Sequence, residues 1–216
     1  MLFTILCVYC TIMCRSIREG VMLALIRHSA YYVGAQQAQV GCSDEAYASA
    51  RYAYDMFTQP LTVNGVKLAI QWGVGRTYSA VYASPAIRAI QTAAAAVGVE
   101  ETSVIVDPHL FYTPGCGARE KAMKALFMRQ GYNPPSAWYL DQNQDDVREF
   151  MAAVDDLTML VIQLSVRDEQ ILAVSHSVFL GAVCAKLTNA PKDCLNKTFG
   201  VCEGFLADNG VFKGYV

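Results

Sequence analysis

The sequence predicts an α/β domain, a three-layer α/β/α sandwich in which helices cover both faces of a mostly parallel central sheet. Three observations point to it. Short, continuous apolar runs recur along the chain, as strands covered on both faces require. Segments of helical period lie between them. The 216 residues are 54% apolar and 17% charged, a globular composition that can build one substantial core. Residues 21–216 are read as that domain and residues 1–20 as an apolar N-terminal extension.

"VMLALI" (21–26) is the first strand, and "AVYAS" (80–84), "SVIVD" (103–107) and "ILAVS" (171–175) repeat its style. Thr62 is placed to cap a helix running through Leu68, Ala69 and Trp72. Pro85 is placed in the first turn of an Ala-rich helix, where its missing N–H costs nothing. The longest helix is expected from about Gln144 to Val166. Val147, Phe150, Met151, Val154, Leu157, Val161 and Leu164 form its stripe, and Asp145, Asp146 and Glu149 complement its N-terminal dipole. "GFLADNGVFKGYV" reads as a hairpin turning at Asn209-Gly210.

Charge excludes some classes of function. The formal net charge is −2 with no basic run, so nucleic acid is not an expected partner, and any bound anion must be held by a few converging groups. The eight cysteines read as buried thiols in a chain with this much core. Cys7 and Cys10 form a CxxC with no second ligand pair at zinc spacing, so no metal site is expected. "MLFTILCVYCTIMC" is too short for a spanning helix, which wants about 20 apolar residues. Its Arg15 and Arg18 follow the apolar run, unlike the leading charges of a signal peptide. Two readings stay open there, a weak signal or membrane anchor and an extension packed on the domain; the cytoplasm is favoured but not decided. Asn196-Lys197-Thr198 matches the glycosylation acceptor pattern, which is too common to settle the compartment.

The chemistry sits at strand ends. Arg27 and His28 follow the first strand; Ser84, Pro85 and Arg88 follow another; Ser175, His176 and Ser177 follow a third. Each alone has an ordinary reading: a solvated loop, a surface charge on a helix, a hydrogen-bonded core histidine. Together they bring two guanidinium forks and two imidazoles to one rim, a site for a dense anion such as phosphate, with helix N-termini beside Pro85 and Ser177 adding N–H donors.

"LALIRHS", "LTVNG", "VYASPAIRAIQTA" and "ILAVSH" resemble, in order, the signatures of the histidine phosphatase superfamily, the phosphoglycerate-mutase-like fold, over about residues 21 to 188. The resemblance implies that His28 is a nucleophile forming a phosphohistidine intermediate. It implies that Arg27, Arg88 and His176 hold the phosphoryl oxygens as the other catalytic groups. Ser29 and Ser177 stand where the family usually has Gly, and their hydroxyls are expected to donate to phosphate or to narrow the pocket. Neither metal nor cofactor is implied.

Two further departures matter. Gly34 stands where many mutase-like members carry a phosphate-binding Asn, and Tyr112 stands where they carry the Glu that acts as general acid. Asp107 and Glu120 are the nearest replacement acids in sequence, and His109 reads as a surface residue. Lacking the Glu, the chain resembles the short, phosphohistidine-phosphatase-like branch. The Tyr-rich segment from Ala30 to Pro60 is either a specificity lid or an amphipathic helix pair.

The expected function is a metal-independent phosphatase acting on phosphate monoesters or phosphoramidates, its partner a phosphorylated small molecule or phosphoprotein. The alternatives are a catalytically impaired phosphate-binding or scaffold protein of the same fold, and a phosphoglycerate mutase.

Overall fold

The computed structural model of the chain describes residues 23–31, 57–111, 145–188, 194 and 197–216. The extension 1–20, residues 32–56 of the Tyr-rich segment with Gly34, Tyr112, Glu120 and the side chains of Asp145, Asp146 and Val147 lie outside the described residues.

Six strands make one sheet in the order β3-β2-β4-β1-β5-β6. They are β1 Leu23–Arg27, β2 Ala80–Ala83, β3 Ile105–Val106, β4 Ile171–Ser175, β5 Gly204–Asp208 and β6 Val211–Tyr215. The first four in that order pair in parallel, and β5 and β6 add an antiparallel hairpin at one edge. The helices are α1 Val63–Gly73, α2 Ile87–Val97, α3 Asp145–Ser165 and α4 Ser177–Lys186.

The unbroken apolar strands are explained by what each face meets. Leu23, Leu25, Tyr82, Ile171 and Ala173 point to one side, where α3 contributes Phe150, Met151, Val154, Leu157, Val161 and Leu164 and α4 adds Phe179, Leu180 and Val183. Ala24, Ile26, Val81, Ala83, Leu172 and Val174 point to the other, onto Ala89, Ala93, Ala94 and Ala96 of α2. Successive residues of one strand thus enter different cores, and each large aliphatic side chain so buried is worth about 1.5–3 kcal/mol.

The Ala-rich face matters for function. Small side chains let α2 lie close to the sheet, and α1 packs on α2 in turn. Close approach continues at Gly65, where a side-chain carbon would overlap the carbonyl oxygen of Ala30. Thr62 caps α1 as expected, accepting from Gly65 N at 2.9 Å. At the far edge Asn209 (φ 50°) and Gly210 (φ 73°) turn the hairpin with two left-handed residues, as its tight turn demands.

Three expectations are corrected. Pro85 precedes α2 instead of lying in its first turn; Ala86 is the N-cap residue, its N–H bonded to Ser84 Oγ, so the helix starts two residues later. The strand expected over 103–107 shortens to Ile105–Val106, since Glu101–Ser103 close a 3₁₀ turn and both strand side chains face solvent at the sheet edge. Cys184 and Cys194 form a disulfide instead of lying as thiols, their Cα atoms being 5.7 Å apart, within bridging distance. Cys202 is a free buried thiol, as expected. Among the described residues no helix is long and apolar enough to cross a membrane.

Candidate active site

Parallel pairing builds the site. Arg27 is in register with Ser175, so the next residues, His28 and His176, leave adjacent strands side by side. His28 N donates to Ser175 O at 3.0 Å, and Ser84 N donates to Val174 O at 3.0 Å, tying the end of β2 to the same rim. The chain after β1 proceeds to α1 on the Ala-rich side, whereas the chain after β4 enters α4 on the opposite side. Connections that diverge between neighbouring parallel strands open a crevice at their carboxyl ends, where ligands bind in this class of sheet.

Arg88 occupies the centre. It is 2% exposed, buried at the start of α2, and lies between the two imidazoles. Its Nε donates to His28 Nε2 at 3.3 Å, and its terminal NH2 group donates to His176 Nδ1 at 3.4 Å. A guanidinium offers only protons, so both of these ring nitrogens present lone pairs. The opposite nitrogens then carry the hydrogens. His28 Nδ1 donates to Ser29 O at 2.8 Å, and His176 Nε2 donates to Ser84 Oγ at 2.8 Å.

Both rings are held neutral. Burial lowers His28 to about 3, with the Arg88 charge as the next cause and Arg27 a lesser one. Burial likewise holds His176 well below the ordinary imidazole range, followed by His28 and Arg88. Desolvation lowers Arg27 as well.

Arg27 is braced from the C-terminal side. Its backbone N donates to Glu203 O and its NH1 to Phe199 O, both at 2.8 Å, while its Nε is buried without a hydrogen-bond partner. The N-termini of α2 and α4 have no side-chain cap. Uncapped backbone donors thus flank the His28–Arg88–His176 cluster, and the Arg27 charge acts on both imidazoles, a set suited to an oxyanion. Among the described residues no group of three or more His, Cys, Asp or Glu is placed to hold a metal ion.

The structure brings Arg27, His28, Arg88 and His176 together and places Ser177 beside them as the first residue of α4. The Ser29 hydroxyl is engaged elsewhere. It is fully buried and donates to Gly65 O at 2.7 Å, while Ser29 N donates to Thr92 Oγ1 at 2.9 Å. Asp107 points away. Its carboxylate accepts from His109 N and meets His109 Nδ1, both at 2.9 Å, beside a cavity of about 350 Å³ whose other lining residues include Asp156, Met159 and Gln163. None of the four clustered residues lines that cavity.

Several contributors carried no strong signal in the sequence. Thr92, one turn after Arg88, donates to Arg88 O at 2.7 Å while accepting from Ser29 N, so one hydroxyl ties the end of β1 to the first turn of α2. It is the Thr of the Ser-Pro-x-x-Arg-x-x-x-Thr pattern, whose spacing was the available clue. Tyr31 stands edge-on to His28 at 5.1 Å and lies under the Arg88 guanidinium at 4.8 Å. Phe111 stands edge-on to His176 at 4.7 Å.

The family model of the Histidine phosphatase superfamily (branch 1) matches residues 59–199. The chain belongs to the histidine phosphatase superfamily. The matched segment contains Arg88 and His176 and begins after Arg27 and His28, which only the structure joins to them. No curated protein matches the sequence. Among solved structures, phosphoglycerate mutase from Bacillus anthracis str. Sterne superposes with a TM-score of 0.55 at 18% identity, over 90% of this chain and 91% of that one. A phosphoserine phosphatase mutant from Entamoeba histolytica, in complex with phosphoserine, superposes with a TM-score of 0.54 at 15% identity, over 89% and 95%. The protein histidine phosphatase SixA complexed with tungstate aligns at 0.48 and 18% identity, over 90% and 95%. The first two likenesses show the fold alone.

Proposed function

We propose that the protein is a phosphatase that hydrolyses phosphate monoesters or phosphoramidates, without a metal, through a phosphohistidine at His28. One observation carries the reading. The His28 ring is anchored by Nδ1–H to the Ser29 carbonyl, and its Nε2 lone pair faces the buried Arg88 guanidinium. A phosphoryl group entering between them would take over the Arg88 donors and leave that lone pair free to attack.

In the first step the Nε2 lone pair forms a bond to phosphorus as the bond to the leaving atom breaks. The leaving group departs with that electron pair and collects a proton from solvent. In the second step a water oxygen bonds to phosphorus, the N–P pair returns to Nε2, and a water proton passes to solvent. The products are the free alcohol or amine, inorganic phosphate and neutral His28. Arg27 and Arg88 would hold the equatorial oxygens, together with backbone donors at the start of α4 and the Ser177 hydroxyl. His176, whose Nδ1 lone pair also faces Arg88, would fix that guanidinium against the transferred phosphoryl group. Ser29 serves this reading chiefly as a brace, since its hydroxyl already donates to Gly65 O.

The test is covalent trapping. Wild-type protein mixed with an isotopically labelled acyl or aryl phosphate and quenched in alkali should carry up to one label per chain, and His28→Ala should carry none. Phosphate binding without label on wild type would instead make the protein a non-catalytic phosphate binder.

A further inference from the structure

We infer that Phe57 and Phe111 form an aromatic shelf for the leaving group, with Tyr31 flanking His28, so that the preferred substrates carry phosphate on a planar aromatic ring. This rests on the phosphatase reading and narrows it.

Five rings run in unbroken contact through the site. Tyr31 meets His28 at 5.1 Å between centroids, His28 meets His176 at 5.0 Å, His176 meets Phe111 at 4.7 Å, and Phe111 meets Phe57 at 4.8 Å. The outer three come from separate segments: the loop after β1, the approach to α1, and the residue closing the 3₁₀ turn Pro108–Leu110. Their exposure differs from that of core aromatics. Phe150, Phe199 and Phe205 are fully buried, while Phe111, Phe57 and Tyr31 are partly open to solvent. These rings therefore rim the cluster while the imidazoles and Arg88 form its floor.

Such a rim selects by chemistry. A leaving group rich in hydroxyls would lose water against Phe57 and Phe111 and gain no hydrogen bond from them. A phenol or imidazole ring would stack or stand edge-on, as the rings there already do with one another. Phe111 meets His176, which in turn meets His28, so its ring stands one imidazole away from the attacking one. The proton inventory agrees. Among the described residues no carboxylate hydrogen-bonds His28 or His176, and Asp107 is committed to His109. Phenolate needs little protonation to leave, and a phosphoimidazole can take the proton it needs from solvent at its other ring nitrogen before the N–P bond breaks.

Stacking and leaving-group acidity must be separated in the test. Phenyl phosphate, phosphoimidazole and an alkyl phosphate of a fluorinated alcohol as acidic as phenol should be compared on the full-length protein. Wild type should favour one or both aromatic substrates over the fluoroalkyl ester by about 10- to 100-fold in kcat/KM, the usual worth of one stacked ring. Whichever aromatic substrate is faster names the leaving ring. The Phe111→Leu variant keeps apolar volume and should retain the fold. It should lose about 10-fold on the aromatic substrates and stay within about 3-fold on the fluoroalkyl ester. Wild-type turnover of neither aromatic substrate above that of the fluoroalkyl ester, or equal losses in Phe111→Leu on all three, would overturn the shelf while leaving the phosphatase intact. Absence of label at His28 from all three donors would overturn the phosphatase reading itself.

Discussion

Strands β1 and β4 are parallel neighbours that end in similar tripeptides, Arg27-His28-Ser29 and Ser175-His176-Ser177. Their histidines nevertheless carry protons on opposite ring nitrogens. At the end of β1 the Ser29 carbonyl takes the Nδ1 hydrogen and Nε2 is left as a base; at the end of β4 Ser84 Oγ takes the Nε2 hydrogen and Nδ1 is left. The difference arises outside the tripeptides. Ser29 turns back because its N–H and hydroxyl are held by Thr92 and Gly65, whereas Ser177 opens α4 and its carbonyl joins the helix. His176 must then find its acceptor on β2's end, at Ser84. Two similar sequences thus acquire different roles through what packs beside them, and only the β1 ring is held by its own local backbone.

Removing each ring in turn should break the symmetry most sharply. His28→Ala is expected to lower kcat by at least about 10³-fold, the scale for losing a nucleophile in an otherwise intact site. His176→Ala should cost about 10²-fold, the scale for loosening the Arg88 guanidinium that its Nδ1 positions, and should still accept label at His28. Steady-state kinetics and trapping on the same preparations decide it. Label lost in His176→Ala and kept in His28→Ala would mean the roles are reversed.

Acid should reveal both rings as one destabilising load. Their folded pKa values lie below the ordinary 6.5, His28 at about 3, so the unfolded chain binds protons first as pH falls. Their contribution is complete above pH 6.5 and is lost progressively below it, by up to about 1.4 kcal/mol per pH unit for each ring. Urea midpoints measured at pH 7 and pH 5 should fall for wild type, and the fall should shrink in His28→Asn and shrink further in the double His28→Asn, His176→Asn variant. The acid limb of kcat/KM should likewise show no histidine titrating near 6.5.

The two braces give the smallest contrast. Ser84→Ala removes the acceptor of the His176 Nε2 hydrogen and should lower kcat/KM by about 10-fold. Ser29→Ala leaves Gly65 O without its donor and should cost about 1–2 kcal/mol of stability, with kcat/KM changed only a few fold. A loss of phosphate affinity in Ser29→Ala larger than in Ser177→Ala would return the Ser29 hydroxyl to the phosphate.

The sequence by itself determined the layers and the rim. "LALI", "AVYA" and "ILAV" are apolar at every position because both faces are covered, and residue pattern reports coverage directly. The stripe from Phe150 to Leu164 reports one buried helix face by its period. Arg27, His28, Arg88 and His176 were legible because strand ends in such sheets share one edge, whichever order the strands take. What stayed hidden depends on contacts between residues remote in the chain. Strand order, set by burial and pairing across the sheet, put β4 between β1 and β2, and so put Ser84 under His176 and Arg88 between the rings. The Ser29 hydroxyl looked free because its acceptor, Gly65 O, lies 36 residues away and comes close only where Gly65 has no side chain. Asp107 looked near in sequence and was turned aside by a local cap to His109. Phe57 and Phe111 meet at the site although 54 residues separate them, and aromatic residues at such spacing carry no period for a sequence to show.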